Sequence, residues 1–249
     1  NASFSGTDSF TYTATNSGGT SSPATVTITV GAPALTVTAG GPLTTTVGQA
    51  YSQTFNFAGG TSPFSAYAVT GLPAGLSMTG SSANSVTIAG TPTASGSFAL
   101  TVSGRDSSTG NGPFTATQGF TLNVAVPNLA LAPASGSFTA TYAAPYSQSI
   151  AASGGVGPYS YALTGSLPAG VTLNAATGAV SGTPTASGSF AFTVTATDTG
   201  ATGVGAPFTV TGNYSLTVAA PTIVVTPTAL PAAIAGQAYT ATLSASGAV

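Results

Sequence analysis

Asp8, Asp106, Asp198 and Arg105 are the only charged side chains among 249 residues, and Lys, Glu, His, Cys and Trp are absent. General acid–base catalysis needs positioned titratable groups, and a nucleophilic Ser or Thr needs an adjacent base. The aspartates lie 98 and 92 positions apart, so a paired-carboxylate site within one domain is not expected. The sequence therefore predicts no catalytic residue, no cofactor-binding residue and no enzyme. Asp8, Asp106 and Asp198 are left to be weighed as turn residues or as cation ligands. A calcium ion takes about six to eight oxygens, generally from several carboxylates, and the count here favours turns in which Asp accepts nearby backbone N–H groups. The expected metal and cofactor set is none, with calcium kept as the lesser reading. Arg105 and Asp106 are neighbours on an expected strand and point to opposite faces, so no direct ion pair is expected.

The elements that would position these residues follow from composition and repetition. Charged residues make up 2% of the chain, against roughly 25% in an average soluble domain. One arginine cannot supply the basic footprint that nucleic acid requires, nor a polybasic patch for anionic lipid. No stretch approaches the length of apolar sequence that spans a bilayer, so no membrane insertion is expected in this segment. Without cysteine, neither disulfides nor thiolate metal sites are available. The chain has no initiator Met and no visible signal peptide, and it is expected to be a piece of something longer.

The nine residues GTPTASGSF at Gly90–Phe98 recur letter for letter at Gly182–Phe190, 92 positions on. Internal repetition at such a spacing marks a modular array. Other landmarks keep step: Pro33, Pro127 and Pro221; LPAG at Leu72–Gly75 and Leu167–Gly170; AYSQ, PYSQ and AYTA beginning at Ala50, Pro145 and Ala238; Phe120 and Tyr214; Asp106 and Asp198. The chain divides into residues 1–31, the last strands of an earlier module; 32–126 and 127–220, two complete modules; and 221–249, the first strands of a following one. In SFAFTVTATD, Phe190, Phe192, Val194 and Ala196 alternate with polar or small residues. A period of two between Gly, Pro, Ser and Asn breakers reads as half-buried strands. About seven such strands per module indicate a Greek-key sandwich, so the fold class is all-β, tandem Ig-like sandwiches placed end to end. Within GTPTASGSF, Thr-Pro should end one strand, Ser-Gly turn, and Phe open the next core-facing row. PFSAYAVTG in the first module carries one residue more than PYSYALTG in the second, so Ala66 is expected to form a bulge. Phe64, Tyr67, Tyr159 and Tyr161 are expected in the core and not on a sugar-binding platform. Asn1 and Asn213 begin Asn-x-Ser/Thr sequons, a weak signal in a chain so rich in Ser and Thr.

The pattern LPxG…SGTPT…G-x-[FY]-x-[FL]-T-V-x-x-x-D, over residues 32–220, resembles the immunoglobulin-like repeats of large bacterial surface proteins, relatives of the dystroglycan-type cadherin-like modules. The resemblance implies an extracellular, cell-surface tandem array that projects or connects, with no fixed ligand. Calcium binding in cadherin-like relatives is what keeps the three aspartates in view as candidates. Lys–Asn isopeptide cross-links, found in some such modules, have no lysine to use here.

Prolines stand between modules without a Gly/Ser spacer, and proline stiffens a junction. Stability in such arrays comes from each module plus its nearest neighbours. The expected function is a structural stalk or spacer in a bacterial adhesin or surface filament. Its partners would be neighbouring repeats of the same or identical chains, with lateral fibre contacts. The alternatives are a carbohydrate- or protein-binding Ig-like module, and an accessory stalk of a secreted hydrolase or phage fibre. The end segments are expected to be a window on a longer fibre. Otherwise, strands from residue 221 onward would add to an exposed edge of another chain.

Overall fold

A computed structural model describes residues 3–247. Among them the regular elements are strands alone, and no helix is long and apolar enough to cross a membrane. The leading segment holds β1 (Phe4–Tyr12), β2 (Thr15–Asn16), β3 (Gly19–Thr20) and β4 (Ala24–Val30). The first module follows with β5 (Thr36–Ala39), β6 (Thr44–Thr46), β7 (Tyr51–Ala58), β8 (Ser65–Thr70), β9 (Leu76–Ser82), β10 (Ser85–Gly90), β11 (Ala94–Arg105), β12 (Thr109–Gly110) and β13 (Thr115–Ala125). The second holds β14 (Ala130–Ala132), β15 (Gly136–Thr141), β16 (Tyr146–Ser149), β17 (Ala151–Ser153), β18 (Tyr159–Gly165), β19 (Val171–Leu173), β20 (Ala179–Gly182), β21 (Gly188–Asp198), β22 (Thr202–Gly203) and β23 (Phe208–Ala219). The trailing strands are β24 (Val224–Thr226) and β25 (Ser244–Ser246). The chain packs as two units. One runs up to Pro127 and takes in Ala201–Ala206; the other is Asn128–Gly200 with Pro207 onward.

In the first unit, β5-β7-β10-β9 form one sheet and β6-β13-β11 with β8 the other. The opening strand is divided between the sheets, as β5 antiparallel to β7 and β6 parallel to β13. That division yields one more segment than the seven strands anticipated. Alternation holds as expected: Leu100, Val102, Leu122 and Val124 are buried between the sheets with Phe55 and Ile88. Each such side chain withdrawn from water contributes about 1.5–3 kcal/mol. Phe55 packs on Phe120 with ring centroids 4.9 Å apart.

The second unit repeats the plan, with β15-β23-β21-β18 as one sheet and β16-β20-β19 with the β14-β17 pair as the other. Tyr214, between Phe138 and Phe192 at 5.7 and 5.6 Å, centres its core. Its hydroxyl donates to the Pro133 carbonyl at 2.6 Å, so the buried ring carries no unpaired polar atom.

Ala66 forms the bulge. It takes φ +49, and the β8–β11 ladder jumps from Ala68↔Ser103 to Ser65↔Arg105, leaving two residues opposite one. The matching β18–β21 ladder runs without a shift from Tyr159↔Asp198 to Gly165↔Phe192. The aromatics of these strands turn inward to differing depth: Phe64 and Tyr161 are buried, Tyr67 and Tyr159 partly so.

The repeated motifs prove to be partners of one another. In the first module Thr91 N and Thr93 N donate to the carbonyls of Gly75 and Ala74, and in the second Thr183 N and Thr185 N donate to Gly170 and Ala169. LPAG and GTPT thus cross at contact distance, and only glycine fits the crossing. A Cβ on Gly90 would lie 2.1 Å from the Gly75 oxygen, and one on Gly182 would lie 2.0 Å from that of Gly170. The expected Ser-Gly turn is corrected in the first module, where Ser95 and Gly96 lie inside β11. There β22 pairs with Ala94 and Ser95, and Gly96 takes φ +136. In the second module β21 starts only at Gly188, after Ser187.

Candidate functional site

The aspartates of the two modules are buried at loop bases. Asp106 is 2% exposed and Asp198 1%. A carboxylate so placed must be surrounded by donors. Asp106 Oδ1 accepts from Phe114 N at 2.7 Å, Ser108 Oγ at 2.8 Å and Ser108 N at 3.4 Å; Oδ2 accepts from Thr61 N at 3.1 Å. Burial pushes the Asp106 carboxyl up, but the bonds from Phe114, Ser108 and Thr61 outweigh it and hold the pKa below its ordinary value. Asp198 has the same surroundings, with Val156 N at 2.8 Å on Oδ2 and Gly157 N and Gly200 N at 3.0 Å on Oδ1. Asp106 ties the loop before β8 to the loop after β11, and Asp198 ties the loop before β18 to the loop after β21. Ser108 N and Gly200 N, two residues on, are the local donors of turn chemistry, and the amides of Thr61, Phe114, Val156 and Gly157 reach each carboxylate from farther along the chain.

Asp8 lies exposed in β1, where Oδ1 accepts from Ser9 N at 2.8 Å. The structure does not gather the three aspartates. Among the described residues no three His, Cys, Asp or Glu side chains are grouped as metal ligands. Arg105 is exposed and its neighbour Asp106 buried, on opposite sides of the strand end. Asn213 is exposed, and its Oδ1 accepts from Thr193 Oγ1 at 2.9 Å. The sequon at Asn1 lies outside the described residues.

The loops anchored by the aspartates do something that sequence reading missed. Beyond Asp106, β12 pairs in parallel with β1, Thr109 opposite Phe4 and Gly110 opposite Ser5. Thr109 N donates to Ser3 O at 2.7 Å, Asn111 N to Ser5 O at 2.8 Å, and Ser5 Oγ to Thr109 O at 3.4 Å. Beyond Asp198, β22 pairs in parallel with the start of β11, Thr202 opposite Ala94 and Gly203 opposite Ser95. There Thr202 N donates to Thr93 O at 2.9 Å, Val204 N to Ser95 O at 3.2 Å, and Ser95 Oγ to Val204 O at 2.6 Å. Ser5 and Ser95 are each 3% exposed. The glycine of the loop is required in both places. Gly110 (φ +77) and Gly203 (φ +98) would place a Cβ 1.9 and 2.3 Å from the carbonyl oxygens of Ser5 and Ser95. The device therefore occurs twice: a Ser-Gly step opening a long strand receives a Thr-Gly loop whose base is held by a buried aspartate.

These features define a tandem array of Ig-like sandwiches. The chain belongs to the family described as "Putative Ig domain", which matches residues 33–125 and 128–219. No curated protein matches it in sequence. Among solved structures it is similar to the endo-fucoidan hydrolase MfFcnA4 of glycoside hydrolase family 107, at 15% identity and TM-score 0.40, over 86% of this chain and 34% of that one. It is also similar to the protocadherin gammaB4 extracellular domain (18%, TM-score 0.34, 90% and 41%) and to the I9–I11 tandem of titin (14%, 0.39, 85% and 75%). The chain thus spans about a third of the fucoidan hydrolase's length. Likenesses this distant say nothing of activity.

Proposed function

We propose that this chain is a stalk segment of an extracellular bacterial adhesin or surface filament, giving reach along its length and cohesion between neighbouring repeats. The observation that carries the proposal is the loop-to-strand pairing, which recurs with matching backbone donors and acceptors at Ser5 and Ser95. The paired backbone and the buried serine hydroxyls support the cohesion read here. Cell-surface placement and bacterial origin rest on the resemblance of the repeats. The reading assigns the chain no catalysis, and its module carboxylates accept hydrogen bonds chiefly from backbone N–H groups.

Small-angle scattering tests it. A compact globule of this length has a radius of gyration of about 18 Å, and a stalk gives a clearly larger value with a rod-like distance distribution. A value near the compact one would refute the reading, and so would turnover of a polysaccharide by this chain alone.

A further inference from the structure

We infer that the start of β21, at Thr185–Gly188, is a docking ledge for the Thr-Gly loop of a further repeat of this same kind. The inference rests on the stalk reading and adds the element by which the next repeat engages. Its ground is the identity of Gly90–Phe98 with Gly182–Phe190. In the first copy the nine residues have a back and a front, both engaged. At the back, Thr93 N and Thr93 Oγ1 donate to Ala74 O at 2.9 and 3.4 Å. At the front, Thr93 O and Ser95 O receive the amides of Thr202 and Val204.

The second copy has the same back, with Thr185 N and Thr185 Oγ1 donating to Ala169 O at 2.8 and 3.3 Å. Its front is open: Ser187 is exposed, whereas Ser5 and Ser95 are buried by their loops. β11 begins at Ala94, and β21 begins two residues later in the repeat, at Gly188. The two residues of ladder missing from β21 are the two that β22 supplies to β11.

The occupant is specified by the filled examples. It follows a buried Asp by three or four residues (Asp106 to Thr109, Asp198 to Thr202), carries Thr and then a positive-φ Gly, and offers its next amide to the serine carbonyl. A side chain at the glycine would strike that carbonyl. The two such loops of this chain are already paired within it. The occupant is therefore the equivalent loop of a further Asp-anchored repeat.

The test inserts a second copy of Pro127–Ala220 between Ala220 and Pro221, keeping every native residue. Amide hydrogen exchange is then read at the inserted positions matching Thr202 and Val204. Docking predicts that they exchange at least about tenfold more slowly than a free loop, as native Thr202 and Val204 should. Gly203→Ala placed in the inserted copy should remove that protection. Free-loop exchange at these amides, with the inserted amide matching Leu216 protected, overturns the inference. As a measurement independent of the insert's folding, a cyclic peptide of residues 198–207 is titrated at millimolar concentration into the unmodified chain. It should shift the amide resonances of Ser187 and Gly188 and leave Gly96 unmoved, and no shift counts against the ledge. Concentration-dependent protection of Ser187 in the unmodified chain alone would assign the ledge to a second copy and overturn the inference. Scattering from the extended chain separates the two readings. An elongated particle with unprotected loop amides sinks the ledge alone, and a compact particle sinks the stalk.

Discussion

Asp106→Asn changes one atom type and leaves the shape of the side chain intact, which isolates the electrostatic role of the carboxylate. The single amide oxygen fits best at the Oδ1 position, where it keeps the donors from Phe114 and Ser108. The NH2 group then occupies the Oδ2 position and faces Thr61 N, a donor against a donor. The remaining bonds lose charge assistance, and hydrogen bonds to charged groups contribute roughly 1.5–3 kcal/mol against about 1 for neutral ones. Allowing for non-additivity within one cluster, the expected cost is about 2–4 kcal/mol. For a module of about 94 residues that lowers Tm by on the order of 10–20 °C. Calorimetry should show the loss in the transition of the first module and little change in that of the second.

The pH dependence gives a sharper check. Asp106 has a folded pKa below its unfolded value, so its contribution is fully present above the unfolded value, near pH 4, and is lost as pH falls through the folded value. The gap between wild type and Asp106→Asn should therefore be constant at neutral pH and close in strong acid. With only three side-chain carboxylates in the chain, the acid limb is readable almost residue by residue. A gap below about 0.5 kcal/mol, the size of a routine surface substitution, or a gap unchanged down to pH 2, would refute the reasoning. A calcium-dependent Tm lost in the variant would show that the carboxylate holds a cation after all.

Ala143 holds φ +56 and donates its N–H to Pro184 O, where the first module has Gly48 (φ +81) donating to Pro92 O. Ala143→Gly should therefore stabilise the second module by about 0.5–1 kcal/mol, since a left-handed conformation strains a residue with a Cβ; a urea midpoint that falls would contradict this. The Tyr146 hydroxyl is buried without a partner among the described residues, whereas Tyr214 donates to Pro133. Tyr146→Phe should be neutral or stabilising and Tyr214→Phe should cost about 1 kcal/mol, both read by urea denaturation. Burial raises the pKa of Tyr51, Tyr146, Tyr159 and Tyr214, with the Asp198 charge and Tyr161 adding to the rise at Tyr159. Stability should hold below the ordinary tyrosine value near pH 10 and fall as pH rises through the raised values, with loss of Tm tracking phenolate absorbance.

The sandwiches were legible because their information is local. A period of two marks the buried faces of β11 and β21, and one extra residue marks the bulge at Ala66, since a strand face cannot absorb an odd insertion without one. The turn role of Asp106 and Asp198 followed from residue type and ligand count. Their partners did not: Thr61 lies 45 residues before Asp106, and Val156 lies 42 before Asp198. Ser95 is the clearest miss. Ser-Gly reads as a turn by its own chemistry, and the strand pairing at this point is made by Thr202 and Gly203, more than a hundred residues away. The matching Ser187 precedes β21 and is exposed. One nonapeptide thus occurs once with a partner strand at its serine and once without.

Scarcity of charge makes these long-range contacts matter more. With four charged side chains, two of them buried, the chain has almost no long-range field, so contacts at its surface rest on short-range geometry and are little affected by salt. Backbone pairing meets that need, but it requires loops held at fixed height. Serine or threonine could cap such a loop with one or two hydrogen bonds. A carboxylate accepts three or four and draws them from two loops at once, as Asp106 does from the residues around Thr61 and Phe114. An ion elsewhere on this surface would serve solubility alone. Placed at the loop base, it is compensated by oriented N–H dipoles and fixes the height at which Thr-Gly meets the serine of a long strand. The aspartates that first suggested chemistry anchor the loops whose Thr-Gly steps pair with Ser5 and Ser95.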